Sequence, residues 1–340
     1  MMNWLGLLSA GLALLVADAG MAAERVARFG PEKAAAELVI WGSTDLDELR
    51  PAIEGFLAQR PNVSIVYHDL QSTVLYQQIR SGQPEAPDLA ISSAADLQIK
   101  LANDGFARDH KLAQDVVLPP WASWRNQVFG ISVEPAVIVL HQSLTRFGPL
   151  PRSRTELIHL LAKHSAELDA RVATYDLDQS GLGYLFASHD SLYSTTYTTL
   201  MQLLGRAHVR LSCCSGDILD DIEKEAVLVG YNLLGSYALA RKQRGAPIEI
   251  ILPTDYTLVL ARVAIIPRTA KRPDLSGAFL DYLLSPELQK RFANLDRYGA
   301  ASLTAAHPIV LNPSLLLYLD PVKRAKFVKT WRGLVGADAR

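Results

Sequence analysis

The sequence predicts an α/β fold in two domains built on mostly parallel sheets. Strand-like and helix-like segments alternate from Glu37 onward, the order that gives a mostly parallel sheet with helices on both faces. The chain is 340 residues long, 49% hydrophobic and 20% charged, which is enough material for two cores. Short apolar runs end repeatedly in small hydroxyl residues where helix patterns begin. In order, a strand at 38–41 (LVIW) leads to a helix at 47–60, and a strand at 63–70 (VSIVYHDL) to a helix at 72–82. A strand at 88–92 (DLAIS) then leads to a helix at 93–105. Further strands fall at 129–133, 136–141, 172–176, 226–230, 249–253 and 258–267. Helices fall at 154–168, 193–206, 217–225, 232–245, 275–285 and 286–295. The Pro-rich stretches at 117–121 and 148–153 mark bends rather than flexible linkers.

The N-terminus carries a separate signal. Residues 4–16 (WLGLLSAGLALLV) form an uncharged apolar run of secretory length, too short for a membrane-spanning helix. Behind it, Ala17-x-Ala19 and Gly20-x-Ala22 offer small-residue cleavage sites, although "MMN" lacks Lys or Arg. Residues 1–23 are therefore expected to be a cleaved signal peptide, and the mature chain to be exported to the periplasm. No Cys follows the apolar run, so lipid attachment is not suggested. The net charge of −1 excludes a basic field for nucleic acid. Cys213 and Cys214 are adjacent, leaving open a vicinal bridge, an intermolecular pair or two small thiols. They make a poor zinc site without a His pair.

Ligands of open α/β sheets sit at the carboxyl ends of strands, where helices begin. Three successive ends there are Gly42-Ser43-Thr44, Gln71-Ser72-Thr73 and Ser92-Ser93-Ala94. Hydroxyls at helix N-termini either cap the helix or bind an anion, because the terminus carries unpaired N–H donors and a partial positive charge. Three ends of one kind form a lined edge. The middle of the chain adds Ser180 and Gly181, then Tyr231 and Asn232 entering a helix, Ser236 and Tyr237 one turn on, and Asp255. Glu134 could bind a ligand hydroxyl or a cation, or pair with Arg262. No G-x-S-x-G, H-E-x-x-H or P-loop pattern is present, so no enzyme, metal or cofactor is expected.

The stretches 38–70, 87–107, 129–142 and 276–293 together resemble the periplasmic solute-binding proteins of ABC importers, in the group that includes ferric-iron and sugar-phosphate binders. The resemblance implies a type II periplasmic binding protein fold: two lobes joined by two crossing strands and closing on ligand by a hinge. Residues 37–135 plus 256–340 would form lobe one, and 136–255 lobe two. The chain would act as a monomer, delivering its solute to an ABC permease in the inner membrane. Ferric-iron members use a Tyr-Tyr pair, but here Tyr231 and Tyr237 stand apart in "GYNLLGSY". That stretch resembles instead the subgroup containing the phosphoglycerate-transport regulatory protein, which makes a membrane sensor kinase the alternative partner. The implied ligand is a small anionic solute, a phosphorylated or carboxylated organic compound.

Overall fold

The computed structural model describes residues 25–82, 86–292, 298 and 305–336. The expected signal peptide lies outside the described residues. In chain order the strands are β1 (Arg25–Phe29), β2 (Ala36–Gly42), β3 (Val63–Asp69), β4 (Leu89–Ser92), β5 (Ser123–Trp124), β6 (Val128–Gly130) and β7 (Glu134–His141). There follow β8 (Val172–Tyr175), β9 (Arg210–Ser212), β10 (Val229–Leu234), β11 (Ile248–Ile251), β12 (Thr257–Leu260), β13 (Val263–Ile265) and β14 (Ala306–Pro308).

They form two sheets. The first runs β1-β3-β2-β4-β13-β6-β5, with β2 parallel to both β3 and β4. The second runs β14-β12-β7-β10-β8-β9, and β11 pairs with β7. Strand β8 is parallel to both β9 and β10. All eight residues of β7 are buried, as its near-continuous apolar sequence requires of a strand covered on both faces.

Each sheet is covered by amphipathic helices. On Leu46–Ala58 the buried side chains are Leu49, Ala52, Ile53 and Phe56, spaced to share one face. Phe56 meets Phe279 edge-on at 4.9 Å, joining this helix to Pro273–Leu283 over the first sheet. Burying each such side chain stabilises the fold by about 1.5–3 kcal/mol.

The chain crosses between the sheets at 131–133 and 261–262, and passes to the second sheet again between helix Pro286–Phe292 and β14. The Ile131 amide donates to the Arg262 carbonyl at 2.8 Å, and the Arg262 amide donates to the Ser132 hydroxyl at 3.3 Å. The stretch 258–267 is therefore two strands in two sheets, β12 and β13. Its unbroken apolar pattern shows burial but not the change of sheet.

Three features differ from the sequence reading. Strand β1 adds to the first sheet ahead of Glu37, pairing antiparallel with β3. The C-terminal part of the expected lobe one lies with the second sheet instead. There β14 pairs with β12, and Val328, Trp331 and Val335 of helix Pro321–Val335 join the second core beside Leu200 and Leu204. Finally, Tyr231 and Asn232 belong to strand β10 rather than to a helix start. The pairing with β7 shifts between Gly230 and Leu233, where Asn232 adopts φ 59°, and the helix begins only at Gly235. Asn tolerates this left-handed conformation, which lets the strand bulge and continue.

Candidate ligand-binding cleft

Six strands direct their carboxyl ends to one region. From the first sheet, β2, β3 and β4 lead into helices Leu46–Ala58, Ser72–Ser81 and Ala95–Asn103. From the second, β8, β9 and β10 lead into Gly181–Tyr193, Ser215–Glu223 and Gly235–Gln243. The N-termini of all six helices surround a cavity of about 390 Å³ between the sheets. Partial positive charge and free N–H groups therefore concentrate on one volume.

The first sheet contributes Ser43, Asp45, Asp69, Gln71, Ser72 and Ser93 to the wall. The Ser43 hydroxyl donates to that of Ser92 at 3.0 Å, and the Ser92 hydroxyl accepts from the Ala94 amide at 3.1 Å. None of the three helices that begin on this edge has a side-chain cap. Ser72 and Ser93 are 8% and 4% exposed, and their hydroxyls have no hydrogen-bond partner among the described residues. Capping therefore does not account for them.

Gly42 has a packing role. A Cβ there would come within 2.0 Å of the Tyr67 hydroxyl, which donates to the Thr44 carbonyl.

The second sheet contributes Tyr175, Ser180, Ser215 and Tyr237, together with a disulfide between Cys213 and Cys214. Here Ser180 does cap its helix, accepting from the Gly183 amide at 3.0 Å. The two sides touch across the cavity. The Asp45 amide donates to the Tyr237 hydroxyl at 2.8 Å, and the Thr73 hydroxyl donates to the Gln179 carbonyl at 3.3 Å. Gly181 lies so close to the first sheet that a Cβ would come within 2.8 Å of the Ser72 hydroxyl.

Charge in the cleft is not balanced. Burial, helped by the charge of Asp45, pushes the Asp69 carboxyl up to about 6 against the pull of Arg25. Burial also raises Asp45, despite the guanidinium groups of Arg262, Arg241 and Arg25. Arg241 is already paired, 2.7 Å from Asp220 and 2.9 Å from Glu223.

Of the residues expected to bind ligand, Ser43, Ser72, Ser93, Ser180 and Tyr237 line the cavity. Thr44 is fully buried beneath it, and Ser92, Thr73 and Gly181 make the contacts just described. Glu134 pairs with Arg262 at 3.5 Å, with both side chains 3% exposed. Arg262 also donates to the Ser236 hydroxyl at 3.1 Å, so these three tie the crossing segments rather than face the cavity.

Tyr231 and Asn232 sit in another network, inside the second core, which the exposed Asp255 meets from its edge. Arg154, fully buried, donates to the Tyr231 hydroxyl at 2.8 Å and lies 3.2 Å from Asp190 and 3.4 Å from Asp255. Asp190 accepts from Tyr231, Asn232 and Tyr256 at 2.5, 2.7 and 2.6 Å. A buried charge needs such partners, and the network provides them. Sequence spacing placed these side chains near strand ends, but Tyr231 and Asn232, at the bulge in β10, are buried in the core, and Asp255 pairs with Arg154.

Asp45, Asp69, Arg25 and the cysteine pair were not anticipated as wall residues. A carboxylate ending β3 and another at a helix N-cap were the available signals. Among the described residues, the one cluster of three potential metal ligands is Cys213, Cys214 and Asp217, and the disulfide occupies both sulfurs.

Two lobes, two crossing strands and a cleft at the strand ends define a type II periplasmic binding protein, a class that binds solutes and is not enzymatic. Residues 40–294 match the model of the bacterial extracellular solute-binding proteins, and the chain belongs to that family. It is similar to the substrate-binding protein of an ABC transporter from Agrobacterium tumefaciens. The two share 32% identity with a TM-score of 0.86, over 93% of this chain and 100% of that one.

The fold is shared with AfuA from Actinobacillus pleuropneumoniae, at 16% identity and TM-score 0.68 over 89% of this chain and 99% of that one. It is shared also with iron-bound HitA from Pseudomonas aeruginosa, at 17% identity and TM-score 0.60 over 88% and 99%. No match was found among curated proteins. The protein is thus a periplasmic solute-binding protein of the ABC-transporter type, and no helix among its described residues is long and apolar enough to cross a membrane.

Proposed function

We propose that the protein captures a small anionic solute, a phosphorylated or carboxylated organic compound, and delivers it to an ABC permease of the inner membrane. The observation that carries this reading is the pair of hydroxyls of Ser72 and Ser93, open to a cavity ringed by six helix N-termini and bonded to no described group. Neutral donors backed by helix dipoles hold an oxyanion without a full countercharge. Arginines would be the other means, but Arg241 is paired with acids and Arg262 with Glu134, and Arg25, the remaining wall cation, faces Asp45 and Asp69. AfuA, a relative in fold, was described with fructose-6-phosphate bound. The lobes would close about the crossings at 131–133 and 261–262, and the mature chain would begin after cleavage between Ala19 and Ala23.

Ferric iron is disfavoured by the phenols. Tyr231 is held in the second core by Arg154 and Asp190 while Tyr237 alone lines the cavity, so the two phenols do not form a ligand pair.

A thermal-shift screen of phosphate esters, carboxylates, inorganic oxyanions, neutral sugars and metals tests the ligand class. A cognate anion at 100 times its Kd adds about 2.7 kcal/mol of stability and raises the melting temperature. Stabilisation by neutral sugars or metals alone would overturn the reading.

A further inference from the structure

Resting on the anionic reading of the cleft, we propose that the solute is zwitterionic. Its anionic end would lie on the hydroxyls and helix N-termini, and a cationic nitrogen would face Asp45 and Asp69.

The cavity has two chemically distinct parts. Ser72 and Ser93, 8% and 4% exposed, open their hydroxyls to the cavity with no partner among the described residues, and these suit an oxyanion. Beside them the wall turns acidic. Asp45 and Asp69 come from neighbouring strand ends of the first sheet, and Asp217 comes from the helix opposite. Asp45 reaches that opposite wall, since a Cβ on Gly216 would lie 3.4 Å from its Oδ2. The Asp69 carboxylate accepts no hydrogen bond from any described side chain or amide, although its residue is half-buried.

The cations present do not balance these acids. Arg241 is held by Asp220 and Glu223. Arg25 is the remaining wall cation and faces both Asp45 and Asp69. Three carboxylates against one guanidinium leave a net negative patch in the same cavity as the anion site. A plain dianion would be repelled there, whereas a ligand carrying its own ammonium completes both halves. A metal ion fits less well. Among the described residues the ligand atoms of Asp45, Asp69 and Asp217 do not gather on one point, as a hard cation requires.

Calorimetric titration with three probes tests this: phosphoethanolamine, propyl phosphate of the same length without the nitrogen, and ethanolamine without the phosphate. We expect phosphoethanolamine to bind at least tenfold more tightly than propyl phosphate, and ethanolamine more weakly than either. In Asp69→Asn, the advantage of phosphoethanolamine over propyl phosphate should shrink at least fivefold, with propyl phosphate bound as well as before or better. Equal or tighter binding of propyl phosphate by the wild type overturns the zwitterion and leaves the anion reading standing. Ethanolamine binding as tightly as phosphoethanolamine overturns the anion reading itself. Absence of binding by all three at millimolar concentration overturns both. The wild-type comparison decides the matter even where the variant folds poorly.

Discussion

Replacing Asp96 by Asn should remove a pH dependence from the stability of the fold. Asp96 lies in the first turn of Ala95–Asn103, a helix that starts at the cleft and packs against Gly181–Tyr193 and Pro313–Leu319. It is fully buried, and neither carboxylate oxygen meets a donor in hydrogen-bonding geometry. Burial pushes its carboxyl up to about 7, and the neighbouring amides and the Arg324 guanidinium offset only part of that effect.

In the unfolded chain the group titrates near 4. Between these values the folded protein keeps a proton that the unfolded chain releases, so stability falls as pH rises from about 4 to about 7 and then levels off. Each unit is worth about 1.4 kcal/mol. Between pH 5 and pH 8 the wild type should therefore lose ~3 kcal/mol that the Asn variant keeps. Other carboxylates raised by burial, Asp69 among them, act equally in both proteins and cancel in the difference. Urea denaturation of both proteins at pH 5, 6, 7 and 8 measures it. Parallel stability curves would refute the reasoning, and so would a wild type that gains stability toward pH 8 relative to the variant.

Three other substitutions bear on closure and the cleft. Gly181→Ala places a methyl 2.8 Å from the Ser72 hydroxyl, so the lobes cannot approach as closely. Affinity for the best ligand should drop about tenfold, equivalent to ~1.4 kcal/mol, with little change in apo melting, and unchanged affinity would count against closure at this contact. Glu134→Gln leaves the buried Arg262 charge uncompensated at the crossing, and denaturant titration should show a loss of about 3–5 kcal/mol, whereas a loss under ~1 kcal/mol would show the pair to be dispensable. Replacing Cys213 and Cys214 together by Ser removes a bridge that closes almost no loop, so melting should shift only slightly. Because the pair forms cleft wall, affinity should still fall several-fold, and a large stability loss with intact binding would reverse that assignment.

The alternation of apolar runs was enough to place most strands and helices, because a strand covered on both faces and an amphipathic helix each leave a periodic trace. The same trace misplaced 226–245, since a bulge at one Asn lengthens a strand without changing its apolar content. It also gave no account of where the C-terminal helix docks. Trp331 and Val335 show that the helix has a face to bury, but not which core receives it.

In the site, small hydroxyls at strand ends were legible because a strand end has a fixed place in an open sheet. Ser72 and Ser93 are examples. The acids were harder to read. Asp69 ends a strand and Asp45 caps a helix, and both are ordinary positions for Asp until the fold sets them beside each other. Tyr231 and Asp255 were singled out as polar groups near strand ends, yet the buried Arg154 engages both.

The hydroxyls themselves offer the most direct test of anion capture in the cleft. Ser72→Ala and Ser93→Ala remove groups that bond to nothing else among the described residues, so the apo protein should melt as the wild type does. Calorimetry with the strongest anionic hit of the thermal-shift screen then isolates binding. Losing a hydrogen bond to a charged ligand costs about 1.5–3 kcal/mol, so each variant should bind about ten- to a hundredfold more weakly. Unchanged affinity in both variants would contradict anion capture at these helix N-termini.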